Sequence, residues 1–194
     1  TESGNKVLLF DNGTWQYEEK MLDDTAMKTP VVAAVVGVSI AVDSSRETES
    51  EWVDLFYLPS PRLVKYFGEA KGKIRCKVSC SNNKGKVQIR FKWEIPNVDG
   101  NGYFGNLKAG SKVAIHMLDG QVVELLVVKG SNIEKTEKYN FSVITGATQP
   151  LSNEQIAALS AQPFRKIVVD WKKKPETYEV EISSYFIDTL PTVY

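Results

Sequence analysis

The sequence predicts a mainly β fold: an antiparallel, hairpin-rich β-sandwich or rolled sheet with one short helix near residues 152–161. Three observations lead to this prediction. Apolar and polar residues alternate with the period of a strand in several segments, tight-turn residues separate those segments, and only one segment carries a clear helix signature. Because the strands come in hairpins and do not alternate with helices, a parallel doubly wound fold is disfavoured.

The chain opens with a predicted hairpin over residues 1–18. Two β-prone runs flank Asp11-Asn12-Gly13, and Asn-Gly between such runs favours a tight turn. Residues 19–29 show neither the helix nor the strand period and are interpreted as a linker, and residues 30–194 as a single β-rich domain. Because an isolated hairpin is only marginally stable in water, we expect Trp15 to dock the hairpin on the main sheet.

The first part of the main domain has four predicted segments. The apolar run 31–42 predicts a long buried strand, and the polar residues 44–50 predict a loop. An aromatic strand is predicted at 52–58, ended by Pro59. Residues 62–68 fit either a helical turn or another strand.

The clearest hairpin joins residues 74–80 to residues 87–95, with a loop predicted at 81–85. Cys76 and Cys80 share the apolar face of the first strand. Four residues along a strand span about 13 Å, which is beyond disulfide reach. We therefore predict two buried free thiols.

The rest of the domain contains further strands and the helix. Ser152 and Gln155 form a predicted capping box at the start of the helix, and Pro163 ends it. A glycine-rich loop is predicted at 96–105. The remaining strands are predicted at 112–118, 121–128, 139–143, 166–171 and 178–183.

Composition argues against two classes of partner. Lys plus Arg number 24 and Asp plus Glu number 24, so no overall positive field attracts nucleic acid. The longest apolar run has 12 residues, fewer than the roughly 20 that a membrane-spanning helix needs. We expect no nucleic acid partner and no membrane span.

No catalytic, cofactor or metal site is predicted. His116 is the only histidine, and its place within a strand predicts a half-exposed side chain. The segment Gly37-Val38-Ser39-Ile40-Ala41 approximates a nucleophile elbow, but the apolar run continues through the serine. A carboxylate-based, glycosidase-like hydrolase needs no histidine and stays open as an alternative. Its candidate acids are Asp43, Glu47, Glu49, Glu51 and Asp54.

Two surface features remain. Trp52, Phe56 and Tyr57 are clustered beside Pro59 and are predicted to form a flat platform for a sugar or a peptide, with packing in the core as the alternative. The run Lys172-Lys173-Lys174-Pro175 is interpreted as a solvated turn or a strand edge protected against aggregation.

Two segments carry a resemblance. Gly4-Asn5-Lys6-Val7-Leu8-Leu9-Phe10-Asp11-Asn12-Gly13-Thr14-Trp15-Gln16-Tyr17 resembles a segment near the mature N-terminus of uncharacterised exported Bacteroidetes-type proteins. Leu151-Ser152, the short helix and Phe164-Arg165-Lys166-Ile167 resemble the end of the β-rich domain that follows it. The resemblance implies a periplasmic or secreted protein whose leader has been removed, with a cytoplasmic location as the alternative. It implies no activity and no functional residues.

These observations favour a non-enzymatic, exported β-domain that binds a partner protein or a glycan in the cell envelope. Two alternatives stay open, the carboxylate-based hydrolase and a structural or assembly protein.

Overall fold

The computed structural model describes residues 7–9, 15–17, 40–95, 100–105, 107–129, 133–136 and 141–194. The chain forms two compact units, Thr1–Val31 and Val32–Tyr194. In the first unit, β1 (Val7–Leu9) and β2 (Trp15–Tyr17) pair antiparallel, the arrangement that the predicted hairpin requires. The predicted linker 19–29 lies outside the described residues, and the docking of Trp15 stays a prediction.

In the second unit, the described residues form ten paired strands in one antiparallel sheet. Their bounds are β3 (Glu47–Glu49), β4 (Val53–Pro59), β5 (Lys73–Asn83), β6 (Lys86–Ile95), β7 (Lys112–Met117), β8 (Val122–Lys129), β9 (Ile133–Thr136), β10 (Phe141–Thr148), β11 (Phe164–Val169) and β12 (Glu176–Ser183). The neighbours run β12-β11-β7-β8-β10-β6-β5-β3, with β4 also paired to β5 and β9 to β10. The predicted mainly β, antiparallel fold is confirmed.

The central hairpin of β5 and β6 follows directly from the alternation in its sequence. Cys76 lies opposite Trp93 and Cys80 opposite Ile89, and these inward side chains are fully buried. Lys84 and Gly85 turn the chain with φ of 51° and 83°, the two positive values that a tight two-residue hairpin turn needs. The loop predicted at 81–85 is thus only two residues long, because Ser81, Asn82 and Asn83 continue the ladder.

The sheet is rolled, which is one of the two forms predicted. β4 and β12 lie at opposite ends of the strand order, yet their Cα atoms approach within 8 Å. Across this seam the ring of Phe56 stacks on Tyr178, with centroids 5.2 Å apart. Trp93 lies at the centre of the roll and contacts Phe91 at 5.8 Å and Trp171 at 5.3 Å between ring centroids. In the described part of the chain, no backbone ladder joins β4 to β12.

Four helices complete the described residues: α1 (Pro61–Lys71), α2 (Gly100–Tyr103), α3 (Asn153–Ala161) and α4 (Tyr185–Val193). The predicted helix is α3. The Ser152 hydroxyl accepts the Gln155 N–H at 3.2 Å, and the Gln155 side-chain oxygen accepts the Ser152 N–H at 2.9 Å, as a capping box requires. The ambiguous segment 62–68 lies in α1, which Ser60 caps and Pro61 begins.

Several predicted elements differ from the structure. Of the strand predicted at 31–42, residues 31–39 lie outside the described residues, and 40–42 belong to no strand. The loop predicted at 44–50 contains β3, because β5 is longer than β4 and pairs with a second short strand beyond it. The loop predicted at 96–105 contains α2, and neither β9 nor α4 was predicted.

Among the described residues, no helix has both the length and the apolar character that crossing a membrane requires.

Candidate functional site

The predicted aromatic platform is only partly assembled. Trp52 and Tyr57 are exposed, at 39% and 46%, whereas Phe56 is buried at 7%. A register shift in β4 between Asp54 and Phe56 sets this arrangement: Phe56 pairs with inward-facing Cys76, and Tyr57 pairs with outward-facing Arg75. The prediction that Phe56 joins the platform is therefore wrong, because its ring packs in the core against Trp93 and Tyr178.

Each exposed ring is accompanied by two cations. The Arg90 guanidinium lies 5.0 Å and the Lys92 ammonium 5.8 Å from the Trp52 ring centroid. Around Tyr57, the corresponding distances are 5.3 Å for Lys73 and 5.0 Å for Arg75. These are cation–π distances, and they hold the rings and the charges together on one face of the sheet. We call this surface the ring–cation face; it consists of Trp52, Tyr57, Lys73, Arg75, Arg90 and Lys92.

The cations of the ring–cation face are not all neutralised. Arg75 lies 3.8 Å from Asp54 and 3.7 Å from Glu94, and Arg90 forms an ion pair with Glu49. Within the described ranges, no ion pair involves Lys73 or Lys92. One cation beside each ring is thus available to an external anion.

The register of β5 and β6 concentrates positive charge further. Lys77 lies directly opposite Lys92 across the two strands. Like charges directly opposite each other destabilise a sheet. Lys77 reaches Glu94 at 3.3 Å, which leaves the Lys92 ammonium next to Trp52. Of the two lysines in register, Lys92 is thus the one without an ion-pair partner in the described ranges.

The acidic residues proposed for a hydrolase have separate partners along the sheet. Glu47 lies 3.0 Å from Lys84, Glu49 pairs with Arg90, and Asp54 pairs with Arg75. Asp43 accepts hydrogen bonds from Ser45, which lower the pKa of its carboxyl group. Glu51 is exposed. These contacts give each paired carboxylate a local structural role.

His116 and the cysteines lie where the sequence placed them. His116 faces outward from β7, half-buried, between Val122 and Lys166 on the neighbouring strands. Cys76 and Cys80 are free and fully buried. Burial raises the pKa of Cys80 to about 12 and that of Cys76 well above its ordinary value, so both remain protonated and unreactive at neutral pH.

A groove beside α1 was missed by the sequence analysis. It has a volume of about 990 Å³ and lies between the start of α1, α2 and the loop before β12. Arg62 links these segments by hydrogen bonds: its guanidinium donates to the Tyr103 carbonyl at 2.7 Å and to the Lys174 carbonyl at 2.9 Å. The lysine run at 172–174 and the Ser60-Pro61 helix start were the two available signals, but nothing in the sequence showed that they meet.

A buried carboxylate underlies this groove. Glu176 is only 6% exposed and accepts hydrogen bonds from the Ser60 hydroxyl and the Arg62 N–H, both at 2.9 Å, and from the Tyr178 hydroxyl at 2.5 Å. Burial and then the neighbouring Glu176 raise the pKa of Tyr178 well above 10.0, so its hydroxyl remains a donor. Since Glu176 lies on β12 and Ser60 directly follows β4, the network joins the two edges of the rolled sheet.

Among the residues with described positions, no three His, Cys, Asp or Glu side chains come close enough together to hold a metal ion. A scan against protein-family models found no match to this chain, and searches of curated proteins and of solved structures found none either.

Proposed function

We propose that the β-rich domain is a non-enzymatic binding module that takes an acidic glycan on its ring–cation face. The observation that carries this proposal is the pairing of two exposed rings with two cations that have no ion-pair partner in the described part of the chain. The proposal includes export to the cell envelope, which the resemblance of residues 4–17 supports.

The chemistry of this face suits an acidic sugar polymer. The flat rings of Trp52 and Tyr57 offer apolar surfaces for the C–H faces of sugar rings, and Lys73 and Lys92 offer charge for carboxylates. Trp52 directly precedes β4 and Tyr57 lies within it, five residues further along the chain, which corresponds to about 15 Å of extended backbone. A ligand that contacts both rings is therefore extended rather than compact.

The position of the rings favours a glycan over a peptide. Peptides commonly bind sheets by adding a strand to an edge, where unpaired backbone groups supply the hydrogen bonds. Among the described strands β4 pairs only with β5, but its other edge faces β12 with Cα atoms within 8 Å, which leaves no room for an added strand. Recognition there depends on side chains alone, as it does for a sugar polymer.

Affinity gel electrophoresis with polygalacturonate in the gel tests this proposal. The protein should be retarded by polygalacturonate and not by neutral dextran, and added salt should weaken the retardation. Lys92→Gln removes one charge contact to the ligand, worth about 0.2–1 kcal/mol for a solvent-screened ion pair, so the affinity should fall by up to about fivefold. Trp52→Ala should reduce it further.

Lys108→Gln is the matched control, because Lys108 is exposed and lies just before β7, which pairs with β8 and β11 and not with the strands of the ring–cation face. Equal retardation of the Lys92 and Lys108 variants contradicts the proposal. Retardation by single-stranded nucleic acid, but not by polygalacturonate, would assign the rings to base stacking instead. A stable oligomer that buries Trp52 and Tyr57 would support the assembly alternative.

A further inference from the structure

The groove beside α1 is a second surface with the features of a binding site, and it lies apart from the ring–cation face. We propose that it binds a small organic anion: a sugar or base ring that carries two or more negative charges. The inference does not depend on the proposed glycan-binding function, because it uses different residues.

The groove is preformed. The two hydrogen bonds from Arg62 fix the Tyr103 and Lys174 carbonyls, and its guanidinium also lies 5.2 Å from the Phe104 ring centroid. The groove volume of about 990 Å³ is at the upper end of the usual range for small-molecule sites, about 300–1,000 Å³. A ligand therefore meets walls that three chain segments already hold in place.

The charge of the groove is strongly positive. Among the residues the structure describes, the lining includes Arg62, Lys65, Lys173 and Lys174 and one carboxylate, Glu176. The carboxylate oxygens already accept hydrogen bonds from the protein itself, including the Arg62 N–H at the start of α1. Lys65 and Lys174 form no ion pair within the described residues. Both ammonium groups can thus bind an anion, that of Lys65 from a position 5.9 Å from the Tyr66 ring centroid, and the proposal does not depend on the helix N-terminus.

The groove also has an aromatic wall. Tyr66 is 61% exposed, and its ring centroid lies 5.4 Å from that of Tyr103, with the planes tilted by 58°. An exposed ring of this size, next to free cations, can stack on a ligand ring while the lysines bind its charged groups. Charge alone would select any polyanion, whereas the ring and the lysines together select a cyclic one.

Isothermal titration calorimetry of the whole chain with four probes tests the inference. Adenosine diphosphate and fructose 1,6-bisphosphate each carry a ring and two or more charges; adenosine carries the ring alone, and pyrophosphate the charge alone. At least one ring-bearing anion should bind tenfold or more tightly than both adenosine and pyrophosphate. Which of the two binds identifies the ring as a base or a sugar.

Variants locate the site. The double variant Lys65→Gln with Lys174→Gln should weaken binding of that probe at least tenfold, and Tyr66→Ala at least threefold. Lys108→Gln and Tyr57→Ala should leave it unchanged, which separates this groove from the ring–cation face. No binding of either ring-bearing anion at millimolar concentration overturns the inference. So does pyrophosphate binding as tight as theirs, or an equal loss in the Lys108 control.

Discussion

Replacing Glu176 by glutamine should destabilise the fold through one lost acceptor at the seam of the sheet. The carboxylate accepts the Arg62 N–H and the Ser60 hydroxyl at one oxygen, both at 2.9 Å, and the Tyr178 hydroxyl at the other, at 2.5 Å. A glutamine side chain has the same shape but only one acceptor oxygen. The substitution thus removes an acceptor without opening a cavity.

The expected loss of unfolding free energy follows from the Tyr178 hydroxyl, which is left without an acceptor. If the glutamine oxygen serves Arg62 and Ser60, its NH₂ group faces the Tyr178 hydroxyl. That hydroxyl already accepts the Trp171 indole N–H at 3.1 Å, and its own proton then has no acceptor. An unsatisfied buried donor costs about 1–3 kcal/mol. We therefore expect the free energy of unfolding to fall by about 1–3 kcal/mol.

Urea denaturation followed by tryptophan fluorescence measures this loss, and the dependence of the free energy on urea should stay unchanged. Glu181→Gln is the control: Glu181 is exposed on the same strand, and its substitution should stay within about 0.5 kcal/mol of the unmodified protein. The variant Tyr178→Phe removes the stranded hydroxyl, so the double variant should lose at least about 0.5 kcal/mol less than the sum of the single losses. A Glu176→Gln variant as stable as the Glu181 control refutes the reasoning.

Three further predictions concern residues that the sequence analysis identified. Cys76 and Cys80 should react with a thiol reagent at least about a hundredfold more slowly in the folded protein than in urea, because burial raises both pKa values; fast labelling of native protein would contradict this. Burial, and then the positive charge of Lys166, lowers the pKa of His116 in the folded protein below 6.5. The neutral ring therefore contributes to stability above pH 6.5, and this contribution is lost as the pH falls through the folded-state pKa. His116→Ala should therefore cost under about 1 kcal/mol at pH 7.5 and flatten the loss of thermal stability below pH 6.5; an unchanged pH profile would show that the histidine does not contribute. Ser152→Ala should lower the free energy of unfolding by about 0.5–2 kcal/mol in urea denaturation, since it removes the cap of α3, and no loss would mean that the cap is dispensable.

Elements with strong local signals were predicted with nearly correct bounds. Alternation on both sides of a predicted loop identified β5 and β6, and the strands predicted at 112–118 and 121–128 match the hairpin of β7 and β8. The serine and glutamine of the capping box identified α3. These signals involve only a few neighbouring residues, so they can be recognised in the sequence without knowledge of the fold.

Elements without such signals depended on their packing. No side-chain cap begins α4 and Pro191 lies within it, so local propensity opposes a helix there. Phe186, Leu190 and Val193 are buried in the core, and this burial outweighs the weak propensity.

For the two candidate sites too, some features were predictable from local sequence and others depended on tertiary packing. The sequence by itself determined that aromatic residues cluster at 52–57, that a basic run lies at 172–174, and that the charged faces of β5 and β6 alternate with apolar ones. Only the tertiary structure decided that the irregularity in β4 turns Phe56 inward and Tyr57 outward, and that Arg62 joins Tyr103 and Lys174 into one groove. The physical reason is distance along the chain: periodicity and caps are local, whereas a groove forms from segments that meet only when the sheet rolls and its two edges come together.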